Sequence, residues 1–138
     1  NIIENSKVVF KKHSEEKYRK PRFDNHSFPL KNYIDLRVFC NITKKEIALS
    51  TYMALPRTDD PEKISGVVFL IHGMGVHANV MAGIAKQLSN AGYVCVSYDI
   101  RGHGSSGGSL KDMESFESVL QDTKDFLSLT IEFLNKKY

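Results

Sequence analysis

A chain of 138 residues, 41% hydrophobic and 25% charged, is ordinary globular material for one domain and long enough to bury a real core. No run approaches the roughly 20 apolar residues of a membrane helix, and Cys40 and Cys95, each flanked by strand-like apolar residues, read as buried thiols in a reducing compartment, not as a disulfide framework. The net charge of +3 is uneven, with eight Lys and Arg against four Asp and Glu over residues 1–31 and eleven against twelve over 32–138.

The basic head, residues 1–27, shows only one short apolar patch, Val8 to Phe10, and no sustained period. Glu15, Glu16 and Asp24 interrupt its positive charge, which favours a solvated leader or irregular segment over a surface for nucleic acid or acidic lipid. His13 and His26 within it carry no inference. Asn25-His26-Ser27 and Asn41-Ile42-Thr43 match the glycosylation sequon, but that pattern has meaning only in a secreted chain, and no signal peptide is visible. A cytoplasmic or peripheral-membrane location is the expectation.

From Tyr33 to Ile42, Tyr33, Asp35, Arg37 and Phe39 alternate with Ile34, Leu36, Val38 and Cys40, which predicts a strand with one apolar face. Asn41 to Glu46 supplies turn residues, and Ile47 to Leu55 alternates again through Ile47, Leu49, Thr51 and Met53. Two such runs joined by a short polar connection predict an antiparallel hairpin. Pro56 to Ser65, with three acids and two prolines, reads as a surface loop.

Val67 to Ile71 is an unbroken apolar run, the pattern of a parallel strand buried on both faces, and Tyr93 to Tyr98 repeats it. Between them Met81, Ile84, Ala85 and Leu88 recur at helical spacing, with Gly92 where a C-cap belongs. The stretch from Gly66 to Gly108 is therefore predicted to be a βαβ unit with a right-handed crossover. Chemistry in such a sheet collects at the carboxyl ends of the strands, where HGMG and RGHGSSGG lie. Ser109 to Ser115 then offers several N-caps for a helix of roughly 33 Å to Lys136. Phe116, Val119, Leu120, Thr123, Leu127, Ile131 and Leu134 form its expected apolar face, and the cations of Asn135-Lys136-Lys137 suit its C-terminus.

Three pieces of this stretch resemble the α/β-hydrolase superfamily, in the branch of monoglyceride lipases, lysophospholipases and serine aminopeptidase-like enzymes. They are His72-Gly73-Met74-Gly75 with His77 close behind, Gly92-Tyr93, and Asp99-Ile100-Arg101-Gly102-His103-Gly104-Ser105-Ser106-Gly107-Gly108, which fits D-x-x-GHGxSxG. The match runs from about Phe28 to the C-terminus. The resemblance implies an α/β fold in which residues 28–138 are the N-terminal part of the domain, a hairpin leading into a parallel sheet with flanking helices, truncated before the nucleophile elbow. In that strand order the strand at 66–71 lies between the strand at 93–98 and the next one in sequence, which leaves one ladder edge open. It further implies a serine hydrolase acting on an ester or lipid small molecule through an acyl-enzyme, with peripheral membrane contact possible and no nucleic-acid partner, and with this piece inactive alone.

A serine hydrolase of this class needs a nucleophile, a His base, an acid and donors facing the oxyanion. The resemblance assigns one donor, the backbone N–H of Met74, with Gly73 and Gly75 permitting the tight turn. Gly104-Ser105-Ser106-Gly107-Gly108 satisfies G-x-S-x-G, but an elbow lies directly between strand and helix, and six residues separate Tyr98 from Ser105. Ser106 is therefore read as a loop serine, and the nucleophile, acid and base as lying outside this chain. His72 is expected to brace the oxyanion loop, His103 the glycine loop with Gly102 and Gly104, and His77 the helix start. Asp99 is expected to bind amides of the loop that follows it. No Cys or His spacing resembles a zinc site, and neither metal nor cofactor is expected.

Two alternatives stand beside this reading. Gly73-Met74-Gly75-Val76-His77-Ala78 fits G-x-G-x-x-A between a strand and a helix, with Asp99 some 20 residues later, the fingerprint of an NAD(P)-binding Rossmann domain. The hairpin upstream and the GHGSSGG loop argue against it. The other is a non-catalytic α/β-hydrolase scaffold that binds a ligand.

Overall fold

The computed structural model describes residues 27–138. The reading of residues 1–27 as a leader therefore falls, but for Ser27, outside the described residues, as do His13 and His26. The first element is a two-residue strand, β1 (Leu30–Lys31), too short for periodicity to reveal. Next come β2 (Leu36–Cys40) and β3 (Lys45–Leu49), paired antiparallel in the register Leu36↔Leu49 to Cys40↔Lys45. The predicted hairpin is present, with Leu36, Val38 and Cys40 buried in alternation against exposed Arg37 and Phe39.

The second arm of that hairpin does not continue to Leu55. It breaks at Ser50, and β4 (Thr51–Ala54) enters a different sheet, antiparallel to β1 on one side and to β6 (Tyr93–Tyr98) on the other. Tyr33 also departs from its expected place on a polar strand face. It precedes the strand, is fully buried, and shares a 2.7 Å hydrogen bond with Thr130. Its ring packs edge-on against Phe133.

The main sheet has the order β1-β4-β6-β5, with β5 (Gly66–Ile71) parallel to β6 in the register Gly66↔Tyr93 to Ile71↔Tyr98. The crossover is a short 3₁₀ turn (Ala78–Met81) followed by α1 (Ala82–Asn90), with Gly92 just beyond its C-cap as predicted. The helix turns Ala82, Ala85 and Ser89 to the sheet, whereas Ile84, expected on that face, is exposed. Strand β6 is central and its alternate residues serve two cores. Val94, Val96 and Tyr98 join Met53 and the hairpin under α2 (Phe116–Lys137), while Cys95 joins Tyr52, Ala54 and the alanines of α1. Both cysteines are free and buried.

Strand β5 corrects the expectation of burial on both faces. Among the described residues it pairs on one side only, leaving Val67 41% and Ile71 43% exposed. The open ladder edge is the one the family strand order implies.

The face of α2 is rotated from the predicted one. Val119, Asp122, Phe126, Thr130 and Leu134 are buried, while Phe116, Leu120 and Ile131 stand in solvent. Phe126 decides the rotation: its ring lies 4.9 Å from Tyr98 and 6.1 Å from Phe69 by centroids, and an aromatic of that size buries more apolar area than Leu120 could. The helix starts at its expected place, directly after Ser115. Ser109 and Asp112 form a capping box on a separate 3₁₀ turn (Leu110–Met113), Glu114 adopts φ 57, and Ser115 then caps α2 by accepting the Ser118 amide. Among the described residues no helix is long and apolar enough to cross a membrane.

Candidate active site

Because β5 and β6 are parallel and end level at Ile71 and Tyr98, the loops that follow them emerge side by side. The first loop closes with a turn in which the Val76 amide donates to the Gly73 carbonyl at 3.4 Å. Gly75 is its third residue with φ 81, the left-handed position that a type II turn requires and glycine adopts freely. Met74 is the second residue, its side chain 63% exposed. The Met74 amide has no acceptor among the described residues.

Asp99, at the end of β6, is 1% exposed and joins both loops. Its Oδ1 accepts the Ala78 amide at 2.8 Å, which opens the turn into α1, and its Oδ2 accepts the Ser105 amide at 2.9 Å and the Tyr52 hydroxyl at 2.6 Å. The carboxylate serves the loop after it, as expected, through the Ser105 amide. It also caps the helix start, a place anticipated for His77, which occupies the N-cap position without a side-chain capping bond. A negative charge at a helix start is electrostatically favourable. Burial first, and then the hydrogen bond to Asp99, push the Tyr52 hydroxyl well above the ordinary tyrosine range. Gly104 is held against this carboxylate so closely that a Cβ would collide with it, and its φ is 51.

His72 bridges the two loops. The Ile100 amide donates to its Nε2 at 2.9 Å, and its Nδ1 lies 2.7 Å from the Gly73 carbonyl. His103 places Nδ1 3.1 Å from the Arg101 carbonyl. The glycine loop folds on itself through the Gly102 amide, which donates to the Gly107 carbonyl at 3.0 Å, and docks on β3 through the Gly107 amide, which donates to Ala48 at 2.8 Å. Ser106 is bound at both ends: its Oγ donates to the Asp99 carbonyl at 2.5 Å and accepts the Ser50 amide at 2.9 Å.

Arg101 and Asp122 were not singled out from the sequence. The Arg101 Nε and Nη2 donate to the two Asp122 oxygens at 2.7 and 2.8 Å, and Nη1 donates to the Asp112 carbonyl and to Glu114. Both partners are 3% exposed, so the pair is buried. Hydrogen bonding to Asp122 raises the Arg101 guanidinium above its usual range. A signal existed: Asp122 falls in the stripe Val119, Asp122, Phe126, Thr130, Leu134, and a charge on a buried stripe demands a partner.

Among the described residues no three His, Cys, Asp or Glu are grouped to hold a metal ion. The dinucleotide alternative conflicts with the geometry. A ribose needs a free carboxylate at the second strand end, and that of Asp99 is buried under three donors, in a sheet whose β4 runs antiparallel to β6. A cavity of about 470 Å³ is lined by Pro56, Arg57, Thr58, Lys63, Ser89, Asn90 and Gly92. It lies at the opposite, amino end of β5 and β6.

Residues 62–137 match the family model described as serine aminopeptidase, S33. Among solved structures, the chain is similar to a probable hydrolytic enzyme from Pseudomonas aeruginosa, with TM-score 0.59, 19% identity, and coverage of 80% of this chain and 32% of that one. It is also similar to a thermostable carboxyl esterase from Bacillus coagulans, with TM-score 0.53, 19% identity, and coverage of 72% and 32%. The chain thus spans about a third of the length of the structures it matches.

Proposed function

The chain belongs to the serine aminopeptidase S33 family and has an α/β-hydrolase fold, and from that premise we propose that the protein is a serine hydrolase of the acylglycerol lipase or lysophospholipase type, cleaving an ester through an acyl-enzyme. The observation that carries the reading is the Met74 amide. It is left without an acceptor on a turn at the carboxyl end of β5, where an oxyanion donor belongs in such a sheet. Ser106, His72 and Asp99 are each spent on backbone groups. In this reading they hold the two loops together, while the nucleophile, acid and base lie outside this chain's residues. Glycerol monoesters, lysophospholipids and small esters are the substrates to try.

Met74 sits at the second position of its turn, where proline is favoured. Met74→Pro therefore deletes the N–H without opposing the backbone, and Met74→Leu keeps it. In the full-length protein Met74→Pro should lower kcat about a hundredfold, the cost of roughly 3 kcal/mol for one lost oxyanion donor, with the melting temperature little changed. Met74→Leu should stay within a few-fold. Equal turnover by wild type and the proline variant would refute the assignment, and no ester turnover by wild type at all would favour a ligand-binding scaffold.

A further inference from the structure

The two bonds made by His72 fix its protonation state. An amide N–H can only donate, so the Nε2 that receives Ile100 carries a lone pair, and the Nδ1 facing the Gly73 carbonyl carries the hydrogen. The ring is 4% exposed and neutral. A proton can enter only at Nε2, where it would point at the Ile100 N–H. The other imidazole of the junction, His103, has its ring centroid 5.3 Å away. It is likewise Nδ1–H toward Arg101, and its buried Nε2 has no partner among the described residues.

We propose that the His72–Ile100 hydrogen bond is an acid-labile latch: protonation of His72 breaks it and frees the loop at residues 72–75 from the loop at residues 99–108. This rests on the reading that the Met74 amide serves the reaction, since release of that loop is what removes the donor. Among the described residues this bond is the one that ties residues 72–76 to the backbone after Asp99, and the other tie between the two loops, the Ala78 amide on Asp99 Oδ1, holds the 3₁₀ turn beyond them.

The groups facing the ring agree with this. Burial weighs most and holds His72 below the ordinary histidine value of 6.5; the hydrogen bond to the Gly73 carbonyl and the charge of Asp99 favour a protonated ring, and His103 and His77 oppose one. That aspartate already serves three donors. In the freed loop the ring regains the ordinary value. The closed state is therefore full above pH 6.5 and weakens as pH falls below it, with the open fraction rising by at most about tenfold per pH unit, the limit for one proton.

The test is amide exchange in full-length protein labelled with 15N-isoleucine. The Ile100 protection factor, corrected for the intrinsic pH dependence of exchange, should hold from pH 8 to 6.5 and then fall, by at most about tenfold per unit. In His72→Gln, which keeps an acceptor and cannot titrate, it should stay flat. Ring 15N shifts of His72 in unmodified protein provide the measurement that needs no variant: the ring should stay neutral while Ile100 remains protected and become imidazolium only at the pH where that protection is lost. Flat protection to pH 4.5 in wild type, a parallel fall in both proteins, or ring titration without amide release each overturns the latch. If the latch opens as described while kcat/KM shows no matching acid limb, the latch stands and the oxyanion assignment of Met74 fails.

Discussion

Arg101 on the loop after β6 and Asp122 on α2 meet through two parallel N–H···O bonds of 2.7 and 2.8 Å, both side chains removed from water. This is the point where the glycine loop is locked to the helix behind it. The bidentate geometry suits guanidinium and carboxylate better than any Lys pairing would.

Breaking this pair from one side should therefore be severe. Asp122→Ala leaves a guanidinium buried without its main acceptor, and the denaturation midpoint of the full-length protein should report a loss of about 3–5 kcal/mol. The double variant Arg101→Met, Asp122→Leu should recover most of it. A loss under 1 kcal/mol in the single variant would mean that Glu114 and the Asp112 carbonyl suffice.

Two glycines of the site loops should behave oppositely. Gly104→Ala sets a methyl group against the Asp99 carboxylate at φ 51, so it should displace that hub and cost about 2 kcal/mol or more. Gly73→Ala meets nothing within 4 Å and needs no left-handed backbone. Its stability should stay within about 0.5 kcal/mol of wild type. Similar melting temperatures for the two variants would contradict this account of the loop.

Ser106→Ala separates a structural serine from a nucleophile. It orphans the Ser50 amide and should cost about 1–3 kcal/mol, yet the full-length variant should still be labelled by a fluorophosphonate probe. Complete loss of labelling by a folded variant would identify Ser106 as the nucleophile after all.

Alkaline pH should weaken the fold through buried acids that resist ionisation. Burial pushes the Cys95 thiol from 9.0 up to about 11, and raises the Tyr33 and Tyr98 hydroxyls too. The unfolded chain gives up these protons first, so stability present below pH 9 declines as pH rises toward 11. The urea midpoint should fall between pH 8.5 and 10.5, and less steeply in Cys95→Ala. Native Cys95 should also resist alkylation at pH 8 until the protein unfolds.

Much of this architecture follows from local pattern alone. The run Val67 to Ile71, its counterpart Tyr93 to Tyr98 and the glycine after α1 specify the βαβ unit, because strand and helix periods and a left-handed cap are properties of neighbouring residues. The clustering of HGMG and GHGSSGG at one edge follows from parallel pairing. What the sequence left undecided depends on partners far along the chain. The break at Ser50 arises because β3 and β4 serve different sheets. Tyr33 is buried because Thr130, 97 residues away, meets its hydroxyl. The rotation of α2 follows from Phe126 fitting between Tyr98 and Phe69 and from Asp122 meeting Arg101. The His72–Ile100 bond exists only because two loops 28 residues apart emerge side by side. A hydrophobic period reports that one face will be covered, while the identity of the covering atoms, and so whether a polar group can stand among them, is settled only in three dimensions.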